Sequence, residues 1–347
     1  MATFGGITRD QIFAWLDILA ERSTLSAPRC IDNAIRYRPL TSSADLILEF
    51  SRPILSVKEF FFPPTESLLR IEKTGSKVEF HETLPVGQQI LFGVRPCDAR
   101  GIRMLDSVFL AQAPVDPYYA ERRKNTTIIG LACKEPGEYC FCTSVNGSPD
   151  SSEDVDLLLT EINGEYTAEV VTEKGAQILK LLPNRRPERL VESVLQSPAA
   201  PPKISHRPVE IESWPAFFED EYWKTVAERC LSCRICAYVC PTCRCFDVRD
   251  ERTDEGAFER VRCWDSCTGV GYRRIAGGHN PRATNEVRLR NRFFCKFYYF
   301  PLQYALATSA CTGCGRCIEY CPVNIDITEI IDHLASRIEG SAELESA

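Results

Sequence analysis

The stretch from Cys230 to Cys245 reads C-L-S-C-R-I-C-A-Y-V-C-P-T-C-R-C, and no other part of the chain restricts the fold so tightly. Its first four cysteines are spaced C-x2-C-x2-C-x3-C and followed by proline, and the same run returns at Cys311, Cys314, Cys317, Cys321 and Pro322. In such a run three close thiolates wrap one cubane, while the fourth, carried away by the turn at proline, ligates the neighbouring cluster. Two copies therefore complement each other. Cys230, Cys233, Cys236 and Cys321 form the ligand set of one [4Fe-4S] cluster, and Cys311, Cys314, Cys317 and Cys240 that of a second. A pair of zinc sites or a disulfide framework is the competing reading, but zinc sites usually bring paired cysteines rather than two triplets each followed by Cys-Pro.

Composition bounds what surrounds these runs. At 347 residues the chain is long for one core, so two domains are expected. Eighteen cysteines clustered in metal-like spacings argue for a reducing compartment where thiolates stay available to iron. Met1 to Asp10 has no basic region followed by an apolar core, and the most apolar stretch, Phe293 to Ala307, is interrupted by Cys295, Lys296, Pro301 and Gln303. The expectation is a soluble, cytoplasmic protein without a membrane span. A net charge of −7 gives no support for nucleic-acid binding.

In the N-terminal half, Thr8 and Gln11 make a capping box ahead of Ile12, Phe13, Leu16 and Leu19, which predicts an amphipathic helix. Leu46 to Leu48 and the run Phe60-Phe61-Phe62-Pro63-Pro64 read as strands joined by loops, with the aromatic triplet in the core. The segment Gln89 to Val94, a helix from Asp98 to Leu110, and the return at Thr126 to Ala132 form a βαβ pattern with two parallel strands. Cys97 follows the first strand and Cys133 the second, so both face the carboxyl ends where ligands of open α/β sheets gather. Cys140 and Cys142 come just after the Glu135-Pro136-Gly137 turn. These four cysteines either hold a third [4Fe-4S] cluster or are buried free thiols, and spacing alone leaves both readings open. Further strands are predicted between Asp154 and Val171 and a short helix from Ala176 to Leu182. The proline-rich Ser197 to Pro202 marks a boundary. The fold class is α+β: an α/β domain over residues 1–197, a linker over 198–209, and a mainly helical two-cluster ferredoxin-like domain over 210–347.

The 70 residues between Cys240 and Cys311 must be filled by structure, and Val287 to Tyr304 has the spacing to supply helices. Between Gly271 and Phe300, Arg273, Arg274, Arg282, Arg288, Arg290, Arg292 and Lys296 are opposed only by Glu286. Since a thiolate-ligated cluster carries net negative charge, these cations read as support for clusters or as a docking surface.

A string of further segments resembles the iron–sulfur beta subunit of cytoplasmic [NiFe] sulfhydrogenases, and is similar also to the iron–sulfur subunit of anaerobic sulfite reductase. The resemblance runs through Ser56 to Phe60 and Phe62 to Pro64, Gly93 to Asp98, Cys140 to Cys142, Cys240 to Asp247, Trp264 to Cys267 and Ala276 to Pro281. It implies an electron carrier that links a flavin-bearing NAD(P)H-binding subunit to its catalytic partner, either a [NiFe] hydrogenase or a sirohaem sulfite reductase. It also favours the cluster reading of Cys97, Cys133, Cys140 and Cys142, which fall inside family-like segments. Cys243, Cys245 and Cys267 stay unassigned, and Cys30, Cys263 and Cys295 read as packing residues. His279 lies in a Gly-Gly-His-Asn-Pro turn with a backbone-shaping or cluster-facing role. No nucleophile–base constellation and no phosphate-binding glycine loop is present, so no catalytic residue is assigned. Against the electron relay stands a self-sufficient reductase with a sulfur substrate near Cys243, Cys245 and Cys267, and, on the arginines alone, a nucleic-acid-binding protein.

Overall fold

A computed structural model describes residues 2–184, 209–272 and 274–345; the boundary expected at Ser197 to Pro202, and all of the expected linker except Val209, lie outside them. In chain order the strands are β1 (Ala2–Ile7), β2 (Thr24–Ile31), β3 (Ala34–Pro39), β4 (Thr65–Thr74), β5 (Lys77–Glu82), β6 (Gln89–Val94), β7 (Thr126–Leu131), β8 (Leu157–Ile162), β9 (Glu165–Val170), β10 (Phe246–Asp254) and β11 (Ala257–Trp264). The helices are α1 (Arg9–Arg22), α2 (Lys58–Phe61), α3 (Pro96–Phe109), α4 (Pro117–Asn125), α5 (Glu173–Leu179), α6 (Tyr222–Arg229), α7 (Ile235–Tyr238), α8 (Asn285–Phe294), α9 (Phe300–Gln303), α10 (Arg316–Glu319) and α11 (Ile327–Glu345). These elements divide into two compact units. One consists of Met1–Phe61, Pro85–Pro202 and Thr312–Cys314, the other of Phe62–Leu84, Lys203–Cys311 and Gly315–Ala347.

The first unit is built on a seven-stranded sheet in the order β1-β9-β8-β7-β6-β2-β3. Its middle strands, β2, β6, β7 and β8, run parallel, and β6 and β7 are almost wholly buried, as strands covered on both faces must be. The predicted βαβ crossover is present: α3 follows β6 after one residue, α4 precedes β7, and Ile90 pairs with Thr127. Thr8 caps α1 with both arms of the capping box formed, and Ile12, Trp15, Leu16 and Leu19 pack into the core under the sheet. Full burial of side chains of this size is worth about 1.5–3 kcal/mol each. Gly130 is required inside β7, because a Cβ there would lie 2.8 Å from Val155.

Two local expectations are corrected. Leu46 to Leu48 is irregular rather than a strand, its backbone partly satisfied by Ile47 N–H donating to Pro28 O at 2.9 Å. Phe60 and Phe61 lie in the single-turn helix α2, although Phe61 and Phe62 are fully buried as the core reading required. Short apolar runs do not distinguish the two conformations. The helix expected from Ala176 to Leu182 starts earlier, at Glu173, where the Thr172 side chain caps it, and ends at Leu179.

The second unit combines helices with a four-stranded antiparallel sheet in the order β10-β11-β4-β5, in which two strands come from the N-terminal half of the sequence. Arg262 of β11 and Glu66 of β4 form an ion pair there, both side chains 4% exposed. The helical expectation for Val287 to Tyr304 holds, with α8 running into a π-helical turn, Cys295–Tyr299, and then α9. Trp214 stacks on Phe297 with ring centres 5.0 Å apart, and Trp223 on Phe293 at 5.7 Å. Among the described residues no helix is long and apolar enough to cross a membrane.

Candidate metal centres

The two Cys-Pro runs adopt the same backbone. Ser232 and Arg234 in the first have φ of 54° and 69°, and Gly313 and Gly315, at the same places in the second, have 65° and 73°. Each left-handed pair is followed by a single helical turn, α7 or α10. Left-handed residues among ordinary ones turn successive backbone N–H groups toward one concavity, a nest suited to an anionic cluster. Non-glycine residues enter this region at a cost of about 1–2 kcal/mol each, so Ser232 and Arg234 show that the loop is held there by its surroundings. Asn285, at the start of α8, helps to hold it: its amide donates to Cys230 O at 2.7 Å and Ala227 O at 3.0 Å, and its carbonyl accepts from Ser232 Oγ at 2.8 Å.

Cys230, Cys233, Cys236 and Cys321 line one cavity, together with Cys317, Arg292 and an apolar wall that includes Leu289, Phe293 and Ile327. This is the set the spacing predicts for the first cluster. Two of its sulfurs accept backbone N–H bonds, Cys230 from Ser232 at 3.4 Å and Cys321 from Ile325 at 3.2 Å, and such bonds favour the thiolate that iron requires. Among the described residues, the group of three or more His, Cys, Asp or Glu side chains with ligand atoms all within 4.8 Å of one another is Glu72, Glu79 and His81, not a cysteine triplet.

Cys240 is buried, and Lys296 Nζ lies 3.0 Å from its sulfur and 2.9 Å from Thr242 Oγ1. The Cys243 thiol donates to Cys240, and this bond, with Lys296 and Arg292, outweighs burial and holds Cys240 well below the ordinary thiol range. Cys243 is raised in turn. Arg292, 3% exposed, donates to Cys236 O at 2.9 Å and approaches Cys243 Sγ at 3.5 Å. Burial disfavours both cations, but facing thiolates win: Cys236, Cys243, Cys317 and Cys240 around Arg292, and Cys240, Cys243 and Cys311 around Lys296. Cys240, Cys311 and Cys317 of the second predicted set thus gather around two buried cations, while Cys314 sits on the Thr312–Cys314 segment of the first unit.

The four N-terminal cysteines are positioned by arginines. Arg95, 3% exposed, closes β6 and donates to Leu131 O at 3.1 Å, Ala132 O at 2.8 Å and Ser51 O at 3.0 Å, and also to Phe50 O. It ties the end of β6 to the end of β7, and so brings Cys97, in the first turn of α3, near the loop of Cys133. That loop is folded back by Cys133 N–H donating to Pro149 O and Gly147 N–H to Cys142 O. Arg52 Nη1 lies 3.1 Å from Cys140 Sγ, with Gly137 so close that a Cβ there would come within 2.5 Å of the same guanidinium nitrogen. Cys97 and Cys142 line one cavity of ≈ 200 Å³ with Arg100. Burial, then the neighbouring Cys133 and Cys140, push the Cys142 thiol up to about 12, and burial likewise raises Cys133. Of the four cysteines expected at the carboxyl ends of β6 and β7, Cys97 and Cys142 share this cavity, Cys133 lines a separate one with Arg95, and Cys140 meets Arg52; bound thiols give up their protons to a metal.

Of the unassigned cysteines, Cys245 and Cys267 meet at the base of the β10–β11 hairpin, where Asp265 N–H donates to Cys245 O at 2.9 Å. A hydrogen bond from the Cys267 thiol, joined by Tyr272 and Arg244, overcomes burial and brings Cys245 down to about 5. Cys30 is exposed, so the packing role expected of it does not hold. His279 is exposed and its carbonyl accepts from Ile275 N–H at 3.0 Å, in keeping with a backbone-shaping turn. Sequence reasoning named Arg292 and Lys296 only within a group of cations read as cluster support or a docking surface, and missed Arg95 and Arg52.

The 4Fe-4S dicluster domain family matches residues 229–325, the span that holds both Cys-Pro runs. Over 334 residues the chain is 34% identical to the protein named sulfhydrogenase 2 subunit beta from Pyrococcus furiosus, covering 91% of this chain and 93% of that protein. No solved structure matches the chain.

Proposed function

Because the chain belongs to the family of sulfhydrogenase beta subunits, we propose that it is the electron-transferring iron–sulfur subunit of a multisubunit hydrogenase, standing between a flavoprotein that binds NAD(P)H and a [NiFe] catalytic subunit. The observation that carries this reading is the pair of Cys-Pro runs with matching left-handed backbones, inside a likeness that spans nearly the whole chain. Cys230, Cys233, Cys236 and Cys321 hold one [4Fe-4S] cluster, Cys311, Cys314, Cys317 and Cys240 a second, and Cys97, Cys133, Cys140 and Cys142 a third. Each cluster supplies a one-electron store whose potential responds to nearby charge and hydrogen bonds.

The chain's own residues do the rest. Nests at residues 232–234 and 313–315 aim N–H groups at the clusters, Ser232 and Ile325 N–H groups bond ligand sulfurs, and Leu289, Phe293 and Ile327 give the first site an apolar wall. Arg52 and Arg95 supply positive charge and rigidity to the N-terminal set. None of these groups forms a nucleophile–base pair, which supports a relay rather than a reductase in its own right. The test is anaerobic reconstitution of the full-length chain. It accepts electrons from dithionite, with bleaching of cluster absorbance, and neither evolves hydrogen nor reduces sulfite or polysulfide until a catalytic subunit is added. Steady turnover by the chain alone would refute the proposal.

A further inference from the structure

The two fourth cysteines have different surroundings. Cys321 receives a backbone N–H, from Ile325, whereas Cys240 receives the ammonium of Lys296 at 3.0 Å, inside the protein and 5% exposed. The placement of Lys296 is built into the helix. It is the second residue of the π-helical turn Cys295–Tyr299, in which Phe300 N–H donates to Cys295 O instead of to Lys296 O. The carbonyl of Lys296, released from the helical ladder, accepts Ala310 N–H at 2.8 Å. Ala310 is the residue before Cys311. One residue thus grips two separate parts of the second ligand set, Cys240 by its side chain and the approach to Cys311 by its main chain. Single π turns inside α-helices recur at functional sites, and here the local unwinding has an identifiable result.

Adding an electron to a thiolate-ligated cluster adds negative charge, so a buried cation against one ligand sulfur stabilises the reduced state, and low local dielectric strengthens the effect. Arg292 reaches both sets, through Cys236 O on one side and the Cys243–Cys240 pair on the other, so it does not distinguish them. Lys296 does. We propose that Lys296 is a positioning residue that acts through Cys240 to make the Cys240-ligated cluster the more readily reduced of the two in the Cys-Pro pair, and so sets the downhill direction between them. The inference rests on the ligand sets proposed above and adds to them an order of potentials.

The experiment is potentiometric titration, followed by electron paramagnetic resonance, of the full-length reconstituted chain. The signal of interest is the one that Cys240→Ser perturbs. In Lys296→Gln, which keeps a hydrogen-bonding group and removes the charge, iron content stays at the wild-type level. The reduced-to-oxidised ratio of that cluster at fixed poise falls at least tenfold, a 59 mV lowering for a one-electron couple. Lys296→Arg restores most of the difference, and the other signals move less. An unchanged midpoint, or an equal displacement of every signal, overturns the role of Lys296 while leaving the clusters in place. If Cys240→Ser perturbs no cluster signal, the ligand assignment itself is wrong and the inference falls with it.

Discussion

Gly313 lies where the Thr312–Cys314 segment meets the loop of Cys142, and Gly313→Ala measures how closely they are held. Phe141 N–H donates to Gly313 O at 2.8 Å, and Gly313 has φ of +65°. A Cβ at this position would stand 2.5 Å from both the N and the Cα of Cys142, backbone atoms that cannot swing aside. Left-handed backbone costs alanine about 1–2 kcal/mol. Overpacking against a fixed neighbour adds about 1–3 kcal/mol, for a total of about 2–5 kcal/mol. Gly164→Ala is the control in the same unit: its φ is +84°, it sits in the β8–β9 turn, and nothing lies within 4 Å of its added Cβ. That variant loses only the conformational part. The assay is anaerobic thermal and denaturant unfolding of the full-length chain, where each kcal/mol corresponds to about 2–4 °C for a unit of 150–250 residues. Gly313→Ala is expected to melt well below Gly164→Ala and to load less iron at the Cys142 site. Equal melting of the two variants would refute the close approach at Cys142.

Other consequences concern charge. Glu66→Gln leaves Arg262 buried without its counter-ion and costs about 3–5 kcal/mol, while replacing both by leucine is close to neutral; denaturant unfolding separates the two outcomes. Arg95→Ala leaves buried carbonyls unpaired at about 1–3 kcal/mol each and loosens the loops of Cys97 and Cys133, so iron is lost from the N-terminal set before the Cys-Pro sets. Cys245, brought down to about 5, is a thiolate at pH 6 and 7 and protonates only as pH falls through that value. Its alkylation, followed by peptide mass spectrometry, is therefore nearly flat from pH 6 to 8 and steepens with pH in Cys267→Ala, which lacks the donor to the Cys245 sulfur. His333, lowered by burial and then by Arg337, stacks on Tyr222 with ring centres 3.7 Å apart. A depressed imidazole contributes stability above its unfolded pKa and loses it as pH falls through the folded value, so unfolding midpoints drop below about pH 6.5 in the native chain and less in His333→Phe.

Much of this site was legible because cluster ligands are a spacing problem. The runs at Cys230 and Cys311 declare themselves without reference to tertiary structure, and β6, α3 and β7 were readable because buried parallel strands are continuous apolar runs. What escaped reading has a common cause. Phe246 to Asp254 is a charged sequence with every residue exposed, so β10 alternates apolar and polar positions only over Phe246 to Arg249, and β5 is exposed along its whole length. The pairing of β11 with β4 joins residues nearly two hundred positions apart, which no local pattern encodes. Leu46 to Leu48 has strand-like composition but satisfies its backbone irregularly, Ile47 N–H donating to Pro28 O. The carbonyl that the π turn frees at Lys296 is taken by Ala310 N–H, fourteen residues on. Ser232 and Arg234 hold left-handed backbone without being glycine, and only comparison with Gly313 and Gly315 reveals why.

Iron and acid-labile sulfide per full-length chain, measured after anaerobic reconstitution together with the Mössbauer spectrum, test the central claim that three cysteine sets hold electron-carrying cubanes. The account predicts about twelve iron atoms per chain, four for each cluster, all in cubane environments, and about four fewer in a Cys97→Ser, Cys142→Ser double variant. About eight irons in the native chain with no change in that variant would show the N-terminal cysteines to be thiols only, and tightly bound zinc in place of cubane iron would contradict the relay altogether.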